Sequence, residues 1–385
     1  MRVPRYELAQ VVKMYGDQFL RKYPQKKQIV RALYAISVCR TAALGGHVSS
    51  CNKCGHKHPA YNSCRNRHCP KCQNARRERW IQLRAEEIPN VGCYHVVFTL
   101  PSQLYPLCVQ YGAWLYDILF TAAWQTIAAM SRNPSFLGAE PGMVTVLHTW
   151  GQQLNLHPHL HCIIPAGGID SRGGWKQPKG KNKYLFPINA MCSVFRAKYM
   201  AGLTAVSKRE GISISQTLRK ELMRQPWVVY AKAPIRGKGQ IIEYLGRYSH
   251  KIAISNHRLT DIENGAIGFR YKDYRSGGQT KELRLDANEF LRRYCRHILP
   301  NGFRRIRHYG FLSNRRKRIV TRHNKRRIER IKRMSWVMLC RTFLGFDPIQ
   351  CPKCKTGRME LSAILIVQRG PPLQTRKVNT ENAIV

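Results

Sequence analysis

The stretch HTWGQQLNLHPHLHCII, residues 148–164, decides how this chain is organised. The run from Leu160 to Ile164 is largely apolar and β-branched, which is typical of a buried strand. Side chains two positions apart share one face of a strand, so His159 and His161 lie together, with Leu160 opposite. Two neutral imidazoles so placed can hold one divalent metal ion. For this pattern alone, two ordinary polar residues on a solvated face remain the alternative.

The segments around this stretch predict an α+β protein. Alternating, β-rich composition predicts further strands at 93–101, 143–150 and 227–233. The strand at 143–150 should pair with the histidine strand as an antiparallel hairpin. Helical periodicity predicts helices within residues 1–45 and at 103–130, 189–206, 215–223 and 240–248.

The charge of the chain indicates a polyanionic partner. The 385 residues include 66 Lys and Arg against 21 acids, a formal net charge of +45. These basic residues are spread over most of the chain, which favours nucleic acid. The most apolar window, 107–130, contains Asp117, which is costly in lipid, so we expect a buried helix and no membrane partner. The start lacks a signal-peptide pattern, so we expect a cytoplasmic protein of bacteria, associated with the nucleoid.

Fourteen cysteines without a secretory signal indicate metal sites rather than disulfides. Two Cys-x-x-Cys knuckles, Cys51/Cys54 and Cys69/Cys72, predict one structural zinc ion held by four thiolates. Cys64 and the histidines at 56, 58 and 68 are spare donors. Near the C-terminus, Cys351 and Cys354 form a third knuckle that lacks a partner knuckle, and Cys340 is one donor that could complete it.

Several arginines are candidates for DNA contacts. Between Arg292 and Arg333 there are seventeen Lys or Arg and one acid, Glu329. Such a density is typical of phosphate-facing helices or of a disordered tail, and the apolar residues interleaved between 303 and 312 favour at least partial folding. The candidates are Arg65, Arg67, Arg247, Arg304, Arg305 and Arg307.

Three motifs follow one another along the chain: Phe98-Thr-Leu, His159-Leu-His161 and Tyr244-x-x-x-Tyr248. Their order resembles that of the HUH endonucleases, and most closely the two-tyrosine rolling-circle transposases of the insertion-sequence-91 family. The resemblance covers most of the chain. It includes the segments Ser63–Cys72, His148–Gln152, His157–His161, Tyr244–Tyr248, Ile254–Asn256 and Gly302–Phe311.

The resemblance implies an HUH core, an antiparallel sheet with flanking helices related to the RNA-recognition-motif topology. It also implies nicking and rejoining of single-stranded DNA at transposon ends and target DNA, through a 5′-phosphotyrosine link. Mg²⁺ or Mn²⁺ would be held by His159, His161 and a third polar residue, for which Gln152 is the first candidate and His148 the second. Tyr244 and Tyr248 share one helix face, and Lys251, in a Tyr-x-x-Lys spacing, favours Tyr248 as the first nucleophile.

We expect three consecutive regions. These are N-terminal helices with a zinc-binding domain over 1–92, the nuclease domain over 93–275, and a basic, largely helical region over 276–385 with a possible zinc knuckle and a tail. A plasmid replication initiator or relaxase would use the same chemistry, and a non-enzymatic zinc-containing DNA-binding protein is the alternative from another class. No Gly-x-x-x-x-Gly-Lys-Ser/Thr motif occurs, so strand separation would fall to a host helicase.

Overall fold

The computed structural model describes residues 4–72, 74–178, 186–235, 237–248, 252–367 and 375–377. The helices are α1 Leu8–Lys22, α2 Lys27–Ser37, α3 Asn74–Glu87, α4 Tyr105–Arg132, α5 Ile188–Arg209, α6 Gln216–Arg224, α7 Lys238–Tyr248, α8 Ala287–Cys295, α9 Arg318–Thr321, α10 Lys325–Arg333 and α11 Trp336–Leu339. The strands are β1 Gly46–Cys51, β2 Lys57–Tyr61, β3 Cys93–Thr99, β4 Glu140–Trp150, β5 Leu156–Pro165, β6 Gly168–Ile169, β7 Trp175–Lys176, β8 Val228–Ile235, β9 Leu259–Glu263, β10 Ala266–Asp273, β11 Gln279–Asp286, β12 Ile306–Gly310, β13 Met359–Leu365 and β14 Thr375–Lys377.

The chain forms two compact units, each assembled from separate segments. Unit 1 comprises Met1–Arg79, Ile254–Ile298 and Arg333–Val385, and unit 2 comprises Trp80–Ala253 and Leu299–Lys332. This division differs from the three consecutive regions 1–92, 93–275 and 276–385 expected from the sequence. The reason is strand pairing over long sequence separation, because β13 joins β1 in unit 1 and β12 joins β4 in unit 2.

Unit 2 is built on a seven-stranded sheet, in which six strands follow the order β7-β6-β4-β5-β3-β8 and β12, the seventh, pairs with β4. The pairs are antiparallel, and β4 and β5 form the hairpin that the sequence predicted. The predicted α+β class is thereby confirmed. The finer HUH topology stays a prediction.

One face of this sheet carries the main apolar core. Phe98 of β3, Leu160 of β5 and Leu147 of β4 are fully buried there, together with side chains of α4 and α5. The predicted helix over 103–130 is thus an interior helix. Among the described helices, none is long and apolar enough to cross a bilayer. With this face filled by packing, the opposite face of the same strands carries the polar chemistry.

Unit 1 contains a four-stranded sheet of order β14-β13-β1-β2 and a three-stranded sheet of order β11-β10-β9. Asn264 and Gly265 form the β9–β10 turn with positive φ at both positions, a conformation that the Asn-Gly pair adopts readily. Asp286 caps α8 by accepting hydrogen bonds from the backbone N–H groups of Asn288 and Glu289. In the first sheet, the pairing of β1 with β13 brings Cys51, the last residue of β1, close to the C-terminal knuckle.

Candidate metal centres and nuclease site

Three histidines meet on the polar face of the β4–β5 hairpin. His148 lies directly opposite His159, and His161 follows two residues along β5. Their nearest ring nitrogens all lie within 4.8 Å of one another. The Nε2 atoms of His159 and His161 are 3.2 Å apart. A metal ion with bonds of about 2.1 Å to each nitrogen would separate neighbouring ligands by about 3 Å, so the pair fits a shared cation.

The protonation of His159 also suits a metal ligand. Its Nδ1 lies 2.6 Å from the carbonyl oxygen of His157, which accepts the proton there and leaves the Nε2 lone pair free for a metal. Burial, reinforced by the nearby His157, lowers the pKa of His159 to about 4. The ring is therefore neutral at pH 7, which is the form that binds cations.

His95 on β3 extends this cluster. Its Nε2 lies 3.1 Å from Nδ1 of His161, so one proton shared between these atoms fixes the tautomer of His161. Burial, and then the charge of Lys232, lowers the pKa of His95 to about 4. Sequence reasoning missed His95. The available signal was its position in the strand 93–101, four residues before Thr99, on the face that Thr99 shares with His159.

The structure brings Tyr244 to the same face of the sheet. Its ring centroid lies 4.6 Å from that of His95. The ring also packs on a small apolar cluster that includes Ile81, Ile163 and Ile241. A continuous path of contacts therefore runs from Tyr244 through His95 to His161.

The remaining predicted nuclease residues are less fully described. Tyr248 ends α7, one turn after Tyr244, and its side chain and that of Arg247 lie outside the described part of the structure, as does the whole of Lys251. Gln152 lies in the turn after the end of β4. The donor that the structure adds to the two motif histidines is His148, the second candidate from the sequence. A ligand role for Gln152 stays a prediction.

The first cysteine cluster joins Cys39, Cys64, Cys69 and Cys72. The sulfur of Cys72 lies 3.3 Å from that of Cys39 and 3.5 Å from that of Cys64. Hydrogen bonds from Cys64 and Cys69 lower the pKa of Cys39 to about 2. The pKa of Cys69 is raised by its own contacts with Cys39 and Cys64. Four thiolates this close repel one another, and a divalent cation offsets that repulsion.

The second cluster joins Cys51 and Cys54 with Cys351 and Cys354. The Cys51–Cys354 and Cys54–Cys351 sulfurs are each 3.7 Å apart. A tetrahedral zinc ion with Zn–S bonds of about 2.3 Å separates its sulfurs by about 3.8 Å, so the fit is close. The two knuckles repeat one geometry, since a residue with positive φ follows each: Gly55 at 67° and Lys355 at 60°.

These clusters correct the predicted pairing of cysteines. The sequence suggested that Cys51, Cys54, Cys69 and Cys72 share one ion, but the structure divides them between two clusters. The physical reason is the pairing of β13 with β1, which brings the C-terminal knuckle to Cys51. Two further cysteines complete the other cluster. The sequence did not suggest a role for Cys39, which follows α2, and it indicated Cys64 only as a spare donor. The cysteines of both clusters are consistent with structural zinc.

The candidate DNA-contacting arginines differ in exposure. Arg65 and Arg304 are exposed, whereas Arg67 is half-buried. Arg305 is 9% exposed. Arg307 pairs with Asp117 and places its guanidinium carbon 4.1 Å from the ring centroid of Phe120. Arg305 and Arg307 are therefore held within unit 2, and the exposed pair is better placed to meet phosphates.

Part of the basic C-terminal stretch is also neutralised inside unit 2. Glu86 and Glu87 of α3 are 2% and 4% exposed. Arg327 lies 2.6 Å from Glu86, and Lys317 lies 3.0 Å from Glu87. Removing the basic partner would leave a buried carboxylate uncompensated, which is strongly destabilising. These two ion pairs anchor α10 and the turn that precedes α9, so Arg327 and Lys317 are neutralised within unit 2.

Comparisons with known proteins agree with this arrangement. Residues 11–100 match a family described as "Transposase zinc-binding domain", and residues 142–319 match one described as "Putative transposase". The chain is 37% identical to "Putative transposase y4qJ" of Sinorhizobium fredii, over 95% of this chain and 97% of that protein. It is 29% identical to "Transposase for insertion sequence element IS801" of Pseudomonas savastanoi pv. phaseolicola, over 87% and 84%. No solved structure matches the chain. The chain belongs to the insertion-sequence-91 family of transposases that carry an N-terminal zinc-binding domain.

Proposed function

We propose that this transposase nicks and rejoins single-stranded DNA at transposon ends, during rolling-circle transposition, through a tyrosine of α7. The observation that carries the proposal is the path of contacts from Tyr244 through His95 to the His148, His159 and His161 cluster. This path brings a tyrosine ring and the imidazoles of the cluster to one face of one sheet. A purely DNA-binding protein has no need of that combination.

The chemistry is a transesterification. The phenol oxygen attacks phosphorus, the bond from phosphorus to the 3′ oxygen breaks, and a 5′-phosphotyrosine link forms. The phenol proton passes to solvent, and the departing 3′ oxygen takes up a proton from solvent. A later 3′-OH reverses the step and joins strands, because the energy of the broken bond is kept in the new ester. Tyr244 and Tyr248, one helical turn apart, could each hold one strand.

A phenol with a pKa of about 10 is a weak nucleophile at neutral pH, so the site must help it. A bound Mg²⁺ or Mn²⁺ ion would supply charge neutralisation at the non-bridging phosphate oxygens. His148, His159 and His161 are the residues that would hold it. His95 orients His161 through the Nε2–Nδ1 contact and supports the Tyr244 ring, so it couples the position of the nucleophile to that of the ligand set.

Zinc has a separate, structural role in this proposal. Each cluster of four cysteines would hold one zinc ion, and a closed shell of four thiolates leaves no position for substrate. The cluster of Cys51, Cys54, Cys351 and Cys354 would fasten the C-terminal knuckle to the N-terminal sheet. Exposed arginines such as Arg65 and Arg304 would contact the DNA backbone, and a host helicase would supply the single strand.

The test uses labelled single-stranded oligonucleotides that cover the DNA on both sides of the gene, mixed with the full chain and Mn²⁺. We expect a covalent protein–DNA adduct that EDTA prevents and that the Tyr244→Phe, Tyr248→Phe double variant does not form. Tyr274→Phe, at a tyrosine of unit 1, is the matched control and should form the adduct. An adduct that persists in the double variant, or no adduct of wild type with any of these oligonucleotides, would overturn the proposal.

A further inference from the structure

The edge strand β8 presents an exposed apolar strip on the sheet face that carries the histidines. In the described part of the sheet β8 pairs with β3 alone, and its residues alternate. Val229 and Ala231 are buried in the core, whereas Val228 and Tyr230 are 57% and 50% exposed. Lys232, the next residue on that face, is exposed as well. The ring of Tyr230 is thus half exposed in the middle of a strand, between two residues, Val229 and Ala231, that are buried.

The register of the sheet fixes where this strip lies. Tyr230 is opposite Val97, and Val97 is opposite His161. Directly opposite residues of antiparallel strands share a face, so Tyr230 stands on the histidine face, two strands from His161. With strands about 4.8 Å apart, that is a separation of about 10 Å. The ring centroids of Tyr230 and His95 are 6.4 Å apart, so the strip adjoins the cluster directly.

We propose that Tyr230 stacks on a nucleobase of the single-stranded DNA next to the scissile phosphate, with Val228 and Lys232 completing the contact. This inference rests on the nuclease function proposed above. A nucleobase is the occupant that fits, because its flat π-face can stack on an exposed tyrosine ring. The negatively charged phosphates of the strand that carries the base are attracted to a chain of net charge +45. The three side chains are far fewer than the roughly 20–30 residues that a stable protein interface contains on each side.

The stacking explains why the strand keeps an exposed aromatic ring. Stacking of a base on an aromatic side chain contributes without reading sequence, since every base has a π-face. The contact therefore positions the strand over the histidine cluster, while recognition of the transposon end falls to other residues. Lys232 lies directly opposite His95 in the pairing of β3 with β8, so in this proposal its ammonium group pairs with the phosphate beside the stacked base.

The test measures binding of a fluorescein-labelled oligothymidine to the zinc-loaded full chain by fluorescence anisotropy, without added Mg²⁺ or Mn²⁺. We expect Tyr230→Ala to weaken binding by about 5- to 150-fold, which corresponds to about 1–3 kcal/mol per stacked base. Tyr230→Phe, which keeps the ring, should bind within about twofold of wild type. Tyr274→Ala, at a tyrosine that is 71% exposed in unit 1, is the matched control and should bind like wild type.

A second measurement separates stacking from a general loss of structure. On an oligonucleotide that the enzyme cleaves, single abasic sites are introduced one by one around the nick. One abasic position should weaken wild-type binding and have no further effect on Tyr230→Ala, because the two changes remove the same contact. Additive losses at every position would overturn the proposal, as would a Tyr230→Ala variant that binds normally but changes a dimer into a monomer in sedimentation.

The outcomes distinguish this inference from the proposed nuclease activity. If wild type forms the covalent adduct and Tyr230→Ala binds DNA as wild type does, the stacking proposal is wrong and the nuclease proposal stands. If Tyr230→Ala loses binding in the ring-dependent way described and no adduct ever forms, the stacking proposal stands and the nuclease proposal is wrong.

Discussion

The histidine cluster and the cluster of Cys51, Cys54, Cys351 and Cys354 are built in opposite ways. The histidines come from one hairpin, within fourteen residues of sequence, counted from His148 to His161. The second cysteine cluster joins knuckles whose sulfur contacts span 297 and 303 residues. A local motif can be recognised from spacing and strand alternation, whereas a site assembled from both ends of a chain depends on the tertiary fold.

This difference predicts that loss of the cysteine ligands will destabilise the folded protein. Replacing both C-terminal ligands, Cys351→Ser with Cys354→Ser, should remove one of two zinc ions per chain and destabilise unit 1. The effect should be the largest of any considered, because structural zinc sites contribute about 10–16 kcal/mol of apparent binding free energy in small domains. Elemental analysis would give the zinc content, and thermal unfolding would give the stability.

The matched control is Cys192→Ser, at a half-buried cysteine of α5 that belongs to neither cluster. It should retain both zinc ions. Cys69→Ser should also remove one ion, but from the other cluster, so that combining it with the C-terminal pair leaves the chain without zinc. If the C-terminal double variant kept both ions, the two-cluster arrangement would be wrong.

Replacing a residue of the histidine cluster should have the opposite result: the reaction should be lost while the protein stays folded. His159→Ala should abolish adduct formation, by more than about 100-fold, since ligand and charge stabilisation at phosphate are both affected. Zinc content and thermal stability should change little, because His159 is not part of the main apolar core and belongs to neither cysteine cluster. Adduct yield over time measures the first effect. Undiminished adduct formation would show that this cluster is not the catalytic cation site.

His95 offers a sharper comparison, because it touches the site without belonging to the ligand set. His95→Ala removes the contact to Nδ1 of His161, and loss of such a supporting partner typically costs 10- to 100-fold in metal affinity or activity. We expect the Mn²⁺ concentration needed for half-maximal adduct formation to rise by roughly that factor. His95→Gln, which keeps a hydrogen-bonding group, should recover part of it. Equal Mn²⁺ requirements for wild type and both variants would show that His95 does not orient His161 for metal binding.

Two glycines of the zinc knuckles give the smallest and most local test. A Cβ at Gly357 would lie 2.3 Å from the sulfur of Cys51, whereas a Cβ at Gly55 meets nothing within 4 Å. Gly357→Ala should therefore displace a ligand and lower zinc occupancy. Gly55→Ala should cost only the strain of its positive φ, about 1–2 kcal/mol, and keep the ion. Titration of released zinc with a chromogenic chelator compares them, and equal zinc release from both variants would contradict the packing described.

Much of the fold and of the histidine site follows from local patterns. Strand alternation predicted β3, β4, β5 and β8, and the positions of His159 and His161 followed from a period of two. The cysteine pairing did not follow, because nothing in the spacing of Cys51 and Cys54 indicates that their partners lie near residue 351. His95 was missed for a related reason, since its contact with His161 depends on the register between β3 and β5.

Charge patterns were informative about the partner and less so about individual residues. The excess of basic residues favoured DNA, and membership of a transposase family agrees with that. Within the basic stretch, however, Arg305 is buried, Arg307 is paired with Asp117 and lies over Phe120, and Arg327 is paired with the buried Glu86. Only the fold shows which acids are placed to neutralise which bases.

The central claim is that a tyrosine of α7 becomes covalently joined to DNA beside the histidine cluster. The most direct measurement is mass spectrometry of the adduct after digestion with protease and nuclease. We expect a nucleotide attached to Tyr244 or Tyr248 within the α7 peptide of the wild-type protein. The His159→Ala variant should carry no such nucleotide. A nucleotide attached to any residue outside α7 would contradict it.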